Sequence, residues 1–229
     1  RIDWVDPVRA GPGSYVAVLG EFFGTQPGSV TFLGGAGTQD DVVAELAPCQ
    51  NAWSTNQVMV TVPTDVRLVP GPIELRTAAD EFDRTDDGRG MVMSFRREGP
   101  MLPGICSISP LAGRTGDNVA IAGTGFGQMQ GMSYFELIRR DTGARIPGAA
   151  ISGWTGNAIV GKVPPMDPGI TDVRVVIEGN ISNALPFEVV PPEAGTTPII
   201  SRITPTEGPP GTYVTISGSN FGRQTGIIE

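Results

Sequence analysis

One stretch of 23 residues occurs three times in this chain. It reads IDWVDPVRAGPGSYVAVLGEFFG from Ile2, ICSISPLAGRTGDNVAIAGTGFG from Ile105 and ISRITPTEGPPGTYVTISGSNFG from Ile200, and the copies align without a gap. Self-similarity at a spacing of about 95–103 residues implies an array in which one structural unit recurs. Ile2, Pro7, Gly13, Val16, Gly20, Phe23 and Gly24 are identical in every copy, and two further positions hold only Val or Ile, Val5/Ile108/Ile203 and Val18/Ile121/Ile216. Pro7, Pro110 and Pro205 lack an N–H and should end or kink a first strand at a sheet edge. Gly13, Gly116 and Gly211 suit turns of positive φ. Val16 and Val18 lie two apart, so they face one side of a strand, toward the core. Gly20 and Gly24 bracket a turn, with Phe23 plugging the sandwich end.

The later half recurs too. Trp53-Ser-Thr-Asn-Gln-Val-Met-Val-Thr-Val-Pro63 matches Trp154-Thr-Gly-Asn-Ala-Ile-Val-Gly-Lys-Val-Pro164. Val58, Val60 and Val62 alternate as in a strand. Each copy closes on an apolar run, Met91 to Phe95 and Leu185 to Val190. About seven short strands in such a unit, with no useful helical period, match an immunoglobulin-like sandwich. The 32 Gly and 21 Pro supply the turns, and the 39% of hydrophobic residues suffices for packed cores.

These residues resemble the IPT/TIG family of immunoglobulin-like domains, found in plexins and some transcription factors. The opening pattern stands here as Ile200, Ile203, Pro205, Gly211, Val214, Ile216, Gly218, Asn220, Phe221 and Gly222. The middle copy adds Val163-Pro164 and Ser182-Asn183 before its last strand. The first copy departs from the pattern: it has Phe22 where the family often has Asn, it lacks a clear Ser-Asn, and it carries an insertion from Ala78 to Gly90. The resemblance implies an all-β fold of tandem immunoglobulin-like (E-set/TIG) β-sandwiches, two complete and one partial. The expected domains are 1–98 and 104–190, with a linker at 99–103, a Pro-rich linker at 191–198, and the opening of a third domain at 199–229. Proline-rich linkers should hold neighbours apart. The third copy contains two strands, marginal by themselves, so residues 200–229 are expected to pack against something outside this sequence, the rest of a longer chain or another subunit. Arg1 stands directly before a strand-like run with no initiator Met, which reads as a domain edge inside a longer protein.

Function classes narrow quickly. A net charge of −8 repels a phosphate backbone, so no nucleic acid is expected. No run approaches the ~18 apolar residues of a membrane helix, so no membrane span is expected in this segment. The chain has no histidine, which removes Ser-His-Asp and Cys-His systems and the commonest metal ligand. A Ser-Lys scheme would need Lys162, which falls inside a strand. GTGFG is a sandwich turn, not a nucleotide loop. No enzyme is expected and no cofactor, with calcium the one metal considered.

The remaining candidates are few. Asp83, Asp86 and Asp87 sit in a string that partly mimics a calcium loop but has Ser94 at its twelfth position, so a solvated acidic hairpin competes with weak calcium binding. Trp53 and Trp154 recur at one strand start and read as core or junction residues, with sugar stacking as the alternative. Trp4 has Ser107 and Arg202 as counterparts, and is the better candidate for a contact surface. Cys49 and Cys106 stand on opposite sides of the first linker, and form either an interdomain disulfide or two buried thiols. The expected role is a structural or interaction array in an extracellular, cell-surface or filament protein of a bacterium, with protein partners or self-association. A carbohydrate-binding accessory module of a secreted enzyme and an adhesin ectodomain are the alternatives.

Overall fold

A computed structural model describes residues 1–34, 40–64, 70–86, 95–192 and 198–221. The chain divides into two compact units, Arg1–Val189 and Val190–Glu229. No α-helix occurs among the described residues, and no helix is long and apolar enough to cross a membrane.

The first unit holds two sandwiches. In the first, β1 (Ile2–Asp6), β2 (Tyr15–Gly20), β3 (Ser29–Phe32), β4 (Val42–Val43), β5 (Gln57–Thr61), β6 (Ile73–Arg76) and β7 (Phe82–Arg84) form one sheet ordered β1-β2-β5 and another ordered β4-β3-β6-β7. Val5, Val16, Val18, Val58 and Val60 fill the space between them, closed by Phe32 and Phe95 in an edge-on pair 5.0 Å apart. The second sandwich contains β8 (Gly104–Ser109), β9 (Ala112–Gly113), β10 (Asn118–Thr124), β11 (Tyr134–Arg139), β12 (Arg145–Pro147), β13 (Ala149–Trp154), β14 (Ala158–Lys162), β15 (Gly169–Ile177), β16 (Asn180–Ile181) and β17 (Leu185–Val189). Its sheets run β13-β14-β10-β8 and β12-β11-β15-β17-β9, with β16 hairpinned onto β15. The second compact unit shows β18 (Ile199–Thr204) paired antiparallel with β19 (Thr215–Ser219). Its apolar side chains Ile199, Ile200 and Ile203 stand exposed.

The repeat maps onto one local device. Each first strand ends on the residue before the shared proline, and all three X–Pro bonds are cis. Each first strand also carries a bulge against the second, between Ile2 and Trp4, between Ile105 and Ser107, and between Ile200 and Arg202. The bulge brings a carbonyl of the first strand down onto the shared glycine. A Cβ on Gly20, Gly123 or Gly218 would lie 1.9, 2.1 or 1.8 Å from the oxygens of Arg1, Gly104 or Ile199. The ring of Phe23, Phe126 or Phe221 closes the same space from the other side. Glycine is therefore required there by close approach rather than by φ.

The bulged strand must also be tied to the opposite sheet. In the second sandwich Asn183, fully buried, does this twice: its Oδ1 accepts from Ile105 N at 2.7 Å and its Nδ2 donates to the Ile105 carbonyl at 3.0 Å. Ser182 Oγ beside it accepts from Val175 N at 2.9 Å. The first sandwich lacks that Ser-Asn pair, and Asp83 takes its place, its Oδ2 accepting from Ile2 N at 2.6 Å. Residues 78–86 accordingly do not project as a free acidic loop: Phe82–Arg84 is a sheet strand paired with β6, the equivalent of β16.

Asn183→Ala leaves both backbone groups of Ile105 unpaired in a dry site. Chemical denaturation should show a loss of about 2–4 kcal/mol, and a loss under about 0.5 kcal/mol would mean that the bulge is held by other means.

Candidate functional site

The first linker does not hold the two sandwiches apart. Leu102 N donates to Ser14 Oγ at 2.9 Å and Gly11 N to the Pro100 carbonyl at 3.2 Å, so the linker lies along the first sandwich. At its end Gly104 meets the Tyr15 ring so closely that a Cβ there would sit 2.5 Å from Cδ2. The reason is in β2 and β5. Val16, Val18, Val58 and Val60 point into their own core, while the alternate residues Tyr15, Ala17 and Met59 are also buried, in one apolar cluster with Ile105, Ile121 and Phe135 of the second sandwich. A sheet apolar on both faces must be covered on both.

Two further links cross this junction. Cys49 and Cys106 form a disulfide with Cα atoms 5.4 Å apart. Asp6, at the end of β1, is buried among groups of the second sandwich. Its Oδ1 accepts from Arg174 Nη2 at 3.2 Å and its Oδ2 from Ala184 N. Burial raises the Asp6 pKa above 3.8, and Arg174 and the Ala184 N–H offset this only in part. The other copies carry Ser109 and Thr204 at this position. That difference between copies was the available signal for a junction residue.

Beside this seam the two sandwiches enclose a groove of about 640 Å³. Trp4, on edge strand β1, is 49% exposed and forms part of its wall. Asn56 and Gln57 line it from the first sandwich, and Arg139, Arg140 and Asp172 from the second. Both guanidinium groups are already paired. Arg139 forks onto Asp141 at 2.6 and 2.9 Å and holds that carboxyl down to about 2. Arg140 forks onto Asp172 at 2.6 and 3.0 Å.

Other candidates from the sequence lie apart from this groove. Trp53 is buried, with its indole N–H shared between the carbonyls of Phe23 and Gly24. Trp154 repeats the arrangement, donating to the Phe126 carbonyl at 2.9 Å and packing partly buried against the second core. Both are thus braces for the Phe-Gly turn. Asp83 is engaged with Ile2, Asp86 pairs with Arg84 at 3.1 Å, and Asp87 lies outside the described residues. No group of three or more carboxylates or thiols gathers at metal-binding distance among the described residues. Lys162 Nζ donates to the Gly116 carbonyl at 3.1 Å.

Residues 198–229 match the model of the IPT/TIG domain family. A cyclomaltodextrin glucanotransferase of Bacillus licheniformis is 34% identical over 82 residues, which make up 36% of this chain and 11% of that relative. Among solved structures, a surface glycan-binding protein of Prevotella bryantii is similar at 17% identity and a TM-score of 0.30, over 80% of this chain and 41% of its own. The extracellular region of plexin A4 is similar at 16% identity and a TM-score of 0.33, over 90% of this chain and 16% of its own.

The buried Asp6 sets a pH signature. A carboxyl whose folded pKa is raised binds its proton more tightly in the native state, so its stabilising contribution is complete below 3.8 and fades as pH rises through the folded pKa. Relative to Asp6→Asn, the wild type should lose stability as pH climbs through that window, on top of a pH-independent offset from the altered Arg174 contact. Parallel stability–pH curves for the two proteins would show that Asp6 is not the buried titrating group.

Proposed function

We propose that this chain, an array whose third copy matches the IPT/TIG domain family and whose first two copies repeat its opening, is a non-catalytic structural module of an extracellular or cell-surface protein. Its work is to set the position of neighbouring parts. The observation that carries this reading is the triple lock between the first two sandwiches: the shared apolar face, the Cys49–Cys106 disulfide and the Asp6 clamp. The terms differ in weight. A buried Met such as Met59 is worth roughly 1.5–3 kcal/mol over exposure. A disulfide typically adds about 2–4 kcal/mol, whereas the attraction within a buried ion pair such as Asp6–Arg174 is largely offset by the cost of desolvating both charges. Apolar burial and the disulfide therefore dominate. Persistence of the disulfide requires an oxidising compartment, which supports an extracellular location. Full burial of Asn183 and the strand role of Asp83 put two of the polar side chains otherwise open to chemistry into structural service.

A second reading, a carbohydrate-binding accessory module, is favoured by the half-exposed Trp4 in a groove that also carries polar side chains and by the similarity to the glucanotransferase.

Backbone ¹⁵N relaxation on the whole chain tests the structural reading. Amides of both sandwiches should report one rotational correlation time and one diffusion axis, and a Cys49→Ser/Cys106→Ser variant should keep them, because the apolar face remains. Separate correlation times in the oxidised protein would mean the two sandwiches move independently and cannot fix anything in place.

A further inference from the structure

We propose that the groove between the first two sandwiches is a binding site for a neutral oligosaccharide, with Trp4 as its stacking platform. The inference names the site for the carbohydrate reading and rests on it. Trp4 presents a broad, rigid apolar face at an edge strand, where it covers no core of its own. A half-exposed Trp in a concave place is what sugar-ring faces stack on, because the C–H face of a pyranose is apolar while its rim is hydroxylated. The polar groups around it suit that rim. Asn56 accepts from Ser54 Oγ at 3.0 Å through Oδ1 and keeps its Nδ2 available, and among the described residues the Gln57 side-chain amide has no partner. Each amide can donate and accept at once, as a hydroxyl does. The volume falls within the about 300–1,000 Å³ of small-ligand sites.

Charge decides the class of ligand. Arg139 and Arg140 would make the groove an anion site if they stood alone, but each is forked onto a carboxylate, Asp141 and Asp172. Asp3, the remaining carboxylate on the wall, is paired with Arg1 at 2.6 Å. Paired charges attract neither phosphate nor a cation strongly, yet they still offer oriented N–H groups and oxygens to hydroxyls. The other copies provide no such platform, since Ser107 and Arg202 occupy the position of Trp4.

The test is a titration of the oxidised full chain with maltoheptaose, cellohexaose and a xyloglucan heptasaccharide, with a heparin-derived hexasaccharide as the anionic comparison. Calorimetry gives affinity, and NMR follows the three indole N–H signals and the Gln57 amide. At least one neutral sugar should move the Trp4 and Gln57 signals while leaving those of Trp53 and Trp154 in place. Trp4→Ala should weaken binding at least about tenfold, as truncation of a Trp anchor does, Trp4→Phe should restore part of it, and Gln57→Ala should weaken it less. Unchanged Trp53 and Trp154 signals in each variant certify the fold. A sugar that binds equally well to Trp4→Ala would overturn this site and leave the carbohydrate reading standing. Absence of binding by the wild type at about 10 mM sugar would overturn both, and preferential binding of the anionic hexasaccharide would overturn the assignment of ligand class.

Discussion

The two-faced burial of the β2–β5 pair is the constraint on which the rest depends. One face of these strands, Val16, Val18, Val58 and Val60, closes the first sandwich. The other face, Tyr15, Ala17 and Met59, closes against the second. Gly104 can only be glycine because the Tyr15 ring lies on it, and the linker that precedes it is pinned to Ser14 and Gly11 by that same approach. The disulfide and the Asp6 clamp then act on surfaces already in contact. The groove under Trp4 exists because the two sandwiches meet over part of their surfaces and diverge beside the seam.

The repeat tolerates change only at certain positions. Each copy needs a bulge in its first strand, a glycine beneath it, a Phe beside that glycine and a polar hand from the opposite sheet. The described parts of the copies keep the bulge, the glycine and the Phe. The polar hand is Asn183 in one copy and Asp83 in another. The turn that follows needs a left-handed residue. Gly125 and Asn220 meet that need at little cost. Phe22 adopts φ 65 at the matching position and is 82% exposed, an arrangement costly for an aromatic residue.

Much of this architecture is legible in the sequence. The repeated glycines, prolines and alternating valines implied tandem β-sandwiches, and the turn glycines Gly13, Gly116 and Gly211 do take positive φ of 81, 88 and 92. Trp53 and Trp154 recurred because both brace the same turn. The junction was harder to see. Pro100 and Pro103 suggest a spacer, but composition cannot show that Tyr15, Ala17 and Met59, which interrupt the polar alternation of an exposed sheet face, will find a neighbour. Asp83 read as part of an acidic hairpin because its partner, Ile2 N, is distant in sequence and only the fold brings them together. Trp4 stood out by difference from its counterparts, whereas the groove around it draws residues from both sandwiches and has no local pattern to betray it.

Through their shared apolar face the first two sandwiches should fold and hold as one body. Native-state hydrogen exchange on the full chain carrying Phe187→Leu tests this most directly, since Phe187 lies deep in the second sandwich, far along the chain from β2. If the shared face couples them, protection of the Val16, Val58 and Val60 amides should fall together with that of Val119, Ile121 and Val175. Loss confined to the second sandwich, with β2 and β5 protected as before, would contradict it.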